Sequence, residues 1–297
     1  MSDKFVLTLG VTGQIGRLLA DKLVGEEDIA LKVTSRRHSD LPALKEKYGD
    51  AVYLDLDDPR TFPAALQGVH SLYILTGYSV DMLVQTKALV DASKKAGVKH
   101  IVHLGVFSED EDCYDTHFAW HQLVEFYIKY SGINYTFLHP NCFLQNLTGF
   151  YSNLKSGKLT LLSDKPMGWI ALEDVAEASA IILKEGEKHY GKDYWFSTEV
   201  ADVHKVAKIV SETIGKPIAV FVPPLEKFFD NLKDATGLET LDAYFKGVKE
   251  FGDQINDGRM AYIGTVRDDM PTLAGRPGIS IRDWCELHRD ELAKSSE

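Results

Sequence analysis

The chain has 297 residues, 44% hydrophobic and 26% charged, with a formal net charge of -11. That is the composition of a folded globular protein with one large core or a domain and an annex, and it disfavours a polyphosphate partner such as nucleic acid. Cys113, Cys142 and Cys285 are too few, and lack the CxxC spacing, for a disulfide framework or a zinc ribbon; they fit a reducing, cytoplasmic setting. The N-terminus MSDKFVLTLG runs straight into a short apolar segment without the pattern of a secretory signal. Nowhere does an uninterrupted apolar run approach the roughly 18 residues of a membrane span, so no membrane partner is expected.

Strand and helix patterns alternate from the start. FVLTLG (5–10) reads as a strand, GQIGRLLADKLV (13–24) as a helix, ALKVTS (30–35) as a strand and LPALKEKYG (41–49) as a helix. AVYLDL (51–56), SLYILTG (71–77), HIVHLGV (100–106) and NYTFLHP (134–140) are further strands. Between them lie helical patterns at 60–68, at 80–97 with Gly97 as its stop, and at 118–132. Such alternation implies right-handed βαβ units: an α/β protein with a Rossmann-type, doubly wound parallel sheet covered on both faces. Beyond about residue 150 the pattern loosens, with helices over 203–215, from 223 and over 283–292. The expected division is a dinucleotide-binding domain over 1–150 and, over 151–297, a mixed region that completes the sheet and forms a smaller substrate lobe. Ligands of open α/β sheets bind at the C-terminal edge, here between the two parts.

GVTGQIG (10–16) sits at the first strand–helix junction. Gly10 permits the turn, Gly13 lets backbone approach a pyrophosphate, and Gly16 lets the helix pack against the strand, with Thr12, Gln14 and Ile15 completing the loop. The spacing is GxxGxxG, a weak signal alone that gains weight from its position. The second strand ends TSRR, without the acid that holds a ribose 2′-hydroxyl. Arg36 and Arg37 offer guanidinium groups to a 2′-phosphate, which favours NADP(H); two solvated surface arginines are the bland alternative. In LDLDD (54–58), Asp55 is placed to accept from an adenine amino group and Leu56 to pack on its ring. Thr76 and Gly77 follow the fourth strand, where the chain passes close to a cofactor.

These segments, with AGVKHIVHLGVFS, HFAWHQLVEFYIKYSGINYTFLHPNCFLQNL (117–147), IALEDVAEASAIIL (170–183) and AGRPGISIRDWCELH (274–288), resemble the NmrA-like family of atypical short-chain dehydrogenases over nearly the whole chain. The family includes NADP(H)-dependent quinone reductases, a triphenylmethane dye reductase, isoflavone-type reductases, and regulators that bind NADP(H) without known turnover. The chain departs from the classical catalytic pattern where Gly105 replaces a serine and histidines replace the Tyr-Lys pair. The resemblance is to the quinone and dye reductase branch, in which the position of His121 is histidine.

A reductase function therefore rests on His121, which at neutral pH has the chemistry of an acid. Glu125, four residues on, shares its helical face and would favour the imidazolium. His117 and Tyr114 are further candidates for the chemistry. His117 and His121 also make an HxxxH pair, but none of Cys113, Asp115 or Glu125 is selected as a third ligand, so no metal is expected. For quinones and dyes, proximity and orientation carry much of the reaction. Tyr78, Phe107, Trp120, Tyr151 and Trp169 are candidate walls of an aromatic slot, with Pro140, Asn141, Cys142 and Phe143 near the nicotinamide end. The leading reading is an NADP(H)-dependent reductase of a conjugated small molecule. A cofactor-binding redox sensor and a dehydrogenase or isomerase of a hydroxy or keto metabolite remain open, as does a homodimer.

Overall fold

The computed structural model describes residues 4–77, 79–108, 115–149, 154–227 and 242–297. The central sheet is built from β1 (Lys4–Thr8), β2 (Ile29–Ser35), β3 (Ala51–Tyr53), β4 (Ser71–Ile74), β5 (His100–Leu104) and β6 (Asn134–Pro140), extended by the strands Lys192–Ser197 and Arg267–Asp268. Reading across, the order is Arg267–Asp268, Lys192–Ser197, β6, β5, β4, β1, β2, β3. All neighbours are parallel except Arg267–Asp268, which runs antiparallel to Lys192–Ser197. The strand order reverses between β1 and β4, where Val6 pairs with both Leu31 and Ser71. That reversal opens a crevice at the C-terminal ends of the strands.

Alternation along each strand sorts side chains onto two faces. Val6, Tyr73 and Val102 face α1 (Gln14–Leu23) and the helix Leu172–Glu185, packing with Leu19, Leu23, Val175 and Ile182. Leu7, Leu72 and Ile101 face the opposite layer, in which α3 (Phe62–Leu66), α4 (Asp81–Ala96) and α5 (Thr116–Ser131) supply Phe62, Leu89, Val124 and Ile128, whereas α2 (Leu41–Tyr48) packs on the first face through Leu41, Leu44 and Tyr48. A third core, around Trp169, Val206, Val210, Ile263 and Trp284, holds the smaller lobe together.

Local chemistry sets the element ends. α5 starts where the Asp115 carboxylate accepts from the backbone N–H groups of His117 and Phe118, and it stops at Gly132 with φ +78. β3 ends at Tyr53 rather than at residue 56, because Asp55 folds into a turn: its Oδ1 accepts from the Asp57 N–H and its own N–H donates to Thr61. The single helix expected over 283–292 is two, Ile281–Leu287 and Arg289–Ser295, broken at His288, whose ring bonds Glu173 and Glu291 and stacks on Trp284. Among the described residues, no helix is long and apolar enough to cross a membrane.

Asp174 ties the C-terminal segment to the helix Leu172–Glu185. Its fully buried carboxylate accepts from Arg276 at 2.8 Å and from the Ile279 N–H at 2.6 Å. Removing it leaves the half-buried Ile279 N–H without its acceptor and takes from Arg276 one of two carboxylates, Glu177 remaining at 2.6 Å, so Asp174→Ala should cost about 2 kcal/mol of stability. Urea unfolding should show the midpoint fall with the slope unchanged; a shift within the scatter of surface variants would contradict this role.

Candidate functional site

A cavity of about 690 Å³ lies along the C-terminal ends of β1 to β5. Its wall begins at the first turn, with Gly10, Thr12, Gly13 and Ile15. Gly10 sits at φ +73, and a Cβ on Gly16 would come within 2.2 Å of the Gly10 carbonyl oxygen. That contact draws α1 onto the turn. Gly13 is the N-cap of α1 and offers no side chain, so the first amides of the helix carry no side-chain cap. An uncapped helix N-terminus beside glycine backbone suits an anion. Gln14 is exposed and Gly16 lies behind the wall; neither lines the cavity.

The two arginines divide. Arg36 lines the cavity beside Thr34 and Ser35. Arg37 turns away: its Nε donates to Asp40 at 2.9 Å, and Ser35 donates to the same carboxylate oxygen at 2.7 Å. Those hydrogen bonds, Ser35 first and Arg37 second, hold the Asp40 carboxyl below its usual range. Arg37 is thus the partner of a local acid rather than a wall residue. Asp55, Leu56, Thr76 and Gly77 all line the same cavity, joined by Asp57, to which Gln85 donates at 2.6 Å.

At the far end the wall is Leu104, Gly105, His121 and Phe143. His121 is buried, and its Nδ1 lies 3.2 Å from Nε2 of His103 on β5. Burial pushes the His121 imidazole down to about 3, with His117 and His139 adding to the effect. The expected imidazolium is therefore overturned: His121 is neutral in the folded protein. Glu125 does not serve it. The Glu125 carboxylate instead fills the space a side chain on Gly105 would need, with Oε1 2.6 Å from the position of that Cβ and 3.7 Å from His139 Nδ1. Burial raises the Glu125 carboxyl to about 7. His139 Nδ1 faces the Val106 carbonyl at 3.0 Å and Nε2 faces Asp193 at 3.1 Å.

Glu125, His139 and Asp193 form a group of metal-ligand type among the described residues, one that excludes His117 and His121. The two carboxylates stand at opposite nitrogens of one imidazole, Asp193 within hydrogen-bond distance and Glu125 beyond it, which is not the geometry of a cage around one ion.

Several residues expected to do chemistry, hold the cofactor or line the slot are packed away from the cavity wall. His117 is buried against the helix Asp242–Asn256, where a Cβ on Gly247 would meet its Nε2 at 2.6 Å. Trp120 is buried in the core between sheet and helices, its ring 5.3 Å from that of His117. Trp169 is fully buried in the smaller lobe and donates to the Ala201 carbonyl. Phe107 is buried and stacks on Tyr262. Pro140, Asn141 and Cys142 stand off the wall: the Pro140 carbonyl accepts from Phe107 N–H, and the Asn141 amide spans to Ile263 and Cys142. Burial pushes the Cys142 thiol up to about 11, which suits an inert packing residue. Tyr78, Tyr114 and Tyr151 lie outside the described residues.

Ser35, Leu75, Gln85, Leu104 and His103 were missed. The first four follow from position alone, since each sits at a strand end or on the helix after the crevice. His103 carried a periodic signal: it stands two residues before Gly105, on the strand face that meets α5.

The sequence profile of the NmrA-like family matches residues 2–269. The NAD(P)H azoreductase of Xenophilus azovorans is 25% identical over 286 residues, which span 95% of this chain and 97% of that protein. The triphenylmethane reductase of Citrobacter sp., solved with NADP(H), superposes with a TM-score of 0.78 at 22% identity, over 98% of this chain and 99% of that one. The NADPH-dependent quinone oxidoreductase of Escherichia coli, solved with NADPH, gives a TM-score of 0.75 at 23% identity, over 95% and 99%. At those identities the structural likeness establishes the shared fold.

The buried histidines carry a pH dependence. His100 and His121 are pushed down to about 3, His117 to about 4 and His103 well below its usual range, each first by burial. Each binds a proton in the unfolded chain near pH 6.5 but not in the fold, so its contribution is complete above that pH and lost as pH falls through it. The buried His189 is lowered too; Asp115, raised to about 6, Glu125, raised to about 7, and Asp174, also raised, act oppositely, and five groups outweigh three. Each unbalanced group is worth up to about 1.4 kcal/mol per pH unit. The thermal midpoint should therefore fall steadily from pH 7 to pH 5; a flat or rising profile would mean these rings are charged in the fold.

Proposed function

The chain belongs to the NmrA-like family, and we propose that it is an NADP(H)-dependent oxidoreductase that transfers a hydride to a conjugated small molecule of the quinone or dye type. One observation carries the reading: a single continuous cavity runs from Arg36, past the uncapped N-terminus of α1, to His121 and Phe143. The relatives named as NAD(P)H-linked reductases support it.

In this reading Arg36 pairs with the 2′-phosphate, and the first amides of α1 with Gly13 receive the pyrophosphate. Asp55 and Leu56 take the adenine, with Thr76 and Gly77 flanking the path of the chain. NADP(H), when bound, supplies the hydride. The protein contributes position and a low-dielectric wall: Gly105 keeps the floor flat, Phe143 offers an aromatic face, and His121 offers a neutral imidazole. A neutral ring can donate a hydrogen bond to an acceptor without giving up a full proton. The reading keeps the protein in the cytoplasm, where Cys142 and Cys285, both outside disulfides, stay reduced.

Arg36→Ala should weaken NADPH binding by about 10- to 100-fold, the worth of a charge-assisted pair, while changing NADH binding little. Arg37→Ala should change both by less than about threefold, because its partner is Asp40. Calorimetric titration of the two variants with both cofactors reads this directly. NADPH oxidation by the purified protein against quinones, triphenylmethane dyes and enones tests the reaction. Tight NADPH binding with no turnover on any of them would sink the reductase reading.

A further inference from the structure

His103 is fully buried on β5, where the strand register fixes it between Ile74 and Phe137. Its Nε2 meets His121 Nδ1 at 3.2 Å, with the ring centroids 5.3 Å apart. The edge of Phe137 closes another side, its ring 6.3 Å away at 88°. His103 Nδ1 is buried and has no hydrogen-bond partner among the described residues. Burial keeps both rings neutral, and neighbouring imidazoles, His117 and His139, reinforce it.

Two neutral arrangements satisfy the contact. In one, His121 donates from Nδ1, and the hydrogen of His103 sits on its buried Nδ1 as an N–H without an acceptor. In the other, His103 donates from Nε2, and only a lone pair is left at His103 Nδ1. Orphaned buried N–H groups are the rarer and costlier of the two. The second arrangement obliges His121 Nδ1 to accept, and so places the hydrogen of His121 on Nε2.

We propose that His103 is a positioning residue that fixes His121 as an Nε2–H donor on the cavity wall, and that the site thereby favours acceptors whose carbonyl oxygen or imine nitrogen is conjugated to the carbon that receives hydride. This rests on the reductase reading. For a quinone, NADPH supplies the hydride's electron pair. The negative charge that reaches the carbonyl oxygen is met by the His121 N–H, and the proton that completes the hydroquinone comes from water. A cationic triphenylmethane dye takes the hydride at a central carbon bearing no oxygen and needs no proton, so it draws no benefit from that donor.

The first test reads the tautomer in the wild-type protein without substrate or cofactor. In ¹⁵N-histidine NMR, with the His121 signals identified by their loss in His121→Asn, hydrogen on Nε2 and a bare Nδ1 are expected. Hydrogen on Nδ1 overturns the proposal. The second test compares a quinone with a cationic dye in His103→Phe and His103→Gln. The Phe variant should lower the ratio of quinone to dye kcat by about tenfold or more, and Gln, which keeps a donor, should restore part of it. Equal losses on both acceptors would assign His103 a purely structural role and overturn the proposal. If wild type reduces neither acceptor, the reductase reading fails instead, and the tautomer result stands or falls separately.

Discussion

The approach of Gly16 to the Gly10 carbonyl is the constraint on which the site is built. A side chain at Gly16 would stand 2.2 Å from that oxygen, so only glycine lets α1 start directly above the end of β1. With the helix there, its open amides face the crevice made by the reversal of strand order. Every other wall residue up to Thr76 is a consequence, because β2, β3 and β4 end beside the same turn. The positive φ of Gly10 completes the geometry, and Leu75 packs where a Cβ would otherwise project.

Charge is managed differently at the two ends of the cavity. The Arg36 end is wet: Arg36 is exposed, and Arg37 and Ser35 are spent on Asp40. The His121 end is dry, and ionisable groups there give up charge before they give up burial. His103 and His121 become neutral, and Glu125 is pushed toward its protonated form. Helical spacing puts Glu125 on the face of His121, yet the missing side chain at Gly105 offers its carboxylate a pocket of its own. An i, i+4 pair on a buried helix face is decided by what the opposing sheet leaves open, not by the helix.

This explains what was legible. The alternation of strands and helices up to residue 140, the glycine loop, the arginines and Asp55 depend on local pattern, and local pattern is what a sequence displays. The strand Lys192–Ser197, which extends the sheet beside β6, was hidden because its neighbours in space are more than fifty residues away. Trp120 and Trp169 look like the walls of an aromatic slot, but they sit on a helix and a strand, where a large ring signals a core as readily as a ligand. The division between Arg36 and Arg37 turned on Asp40, whose role appears only once the turn after β2 is folded. His103 was legible as a strand residue and not as a partner, since pairing with α5 is a tertiary fact.

α5 is where the two halves of the molecule meet. Its first turn is held to the helix Asp242–Asn256, with Thr116 donating to Glu250 at 2.6 Å, Phe118 against Phe251 and His117 seated over Gly247. One turn later the same helix presents His121 to the cavity and to His103, and the next turn places Glu125 beneath Gly105. A rigid helix transmits its placement along its length. The position of the His121 ring is therefore set jointly, by the smaller lobe at the N-terminus of α5 and by β5 and β6 along its buried face. The Arg36 end of the cavity can be read from one loop and the strand beside it, whereas the His121 end depends on contacts brought together from across the fold.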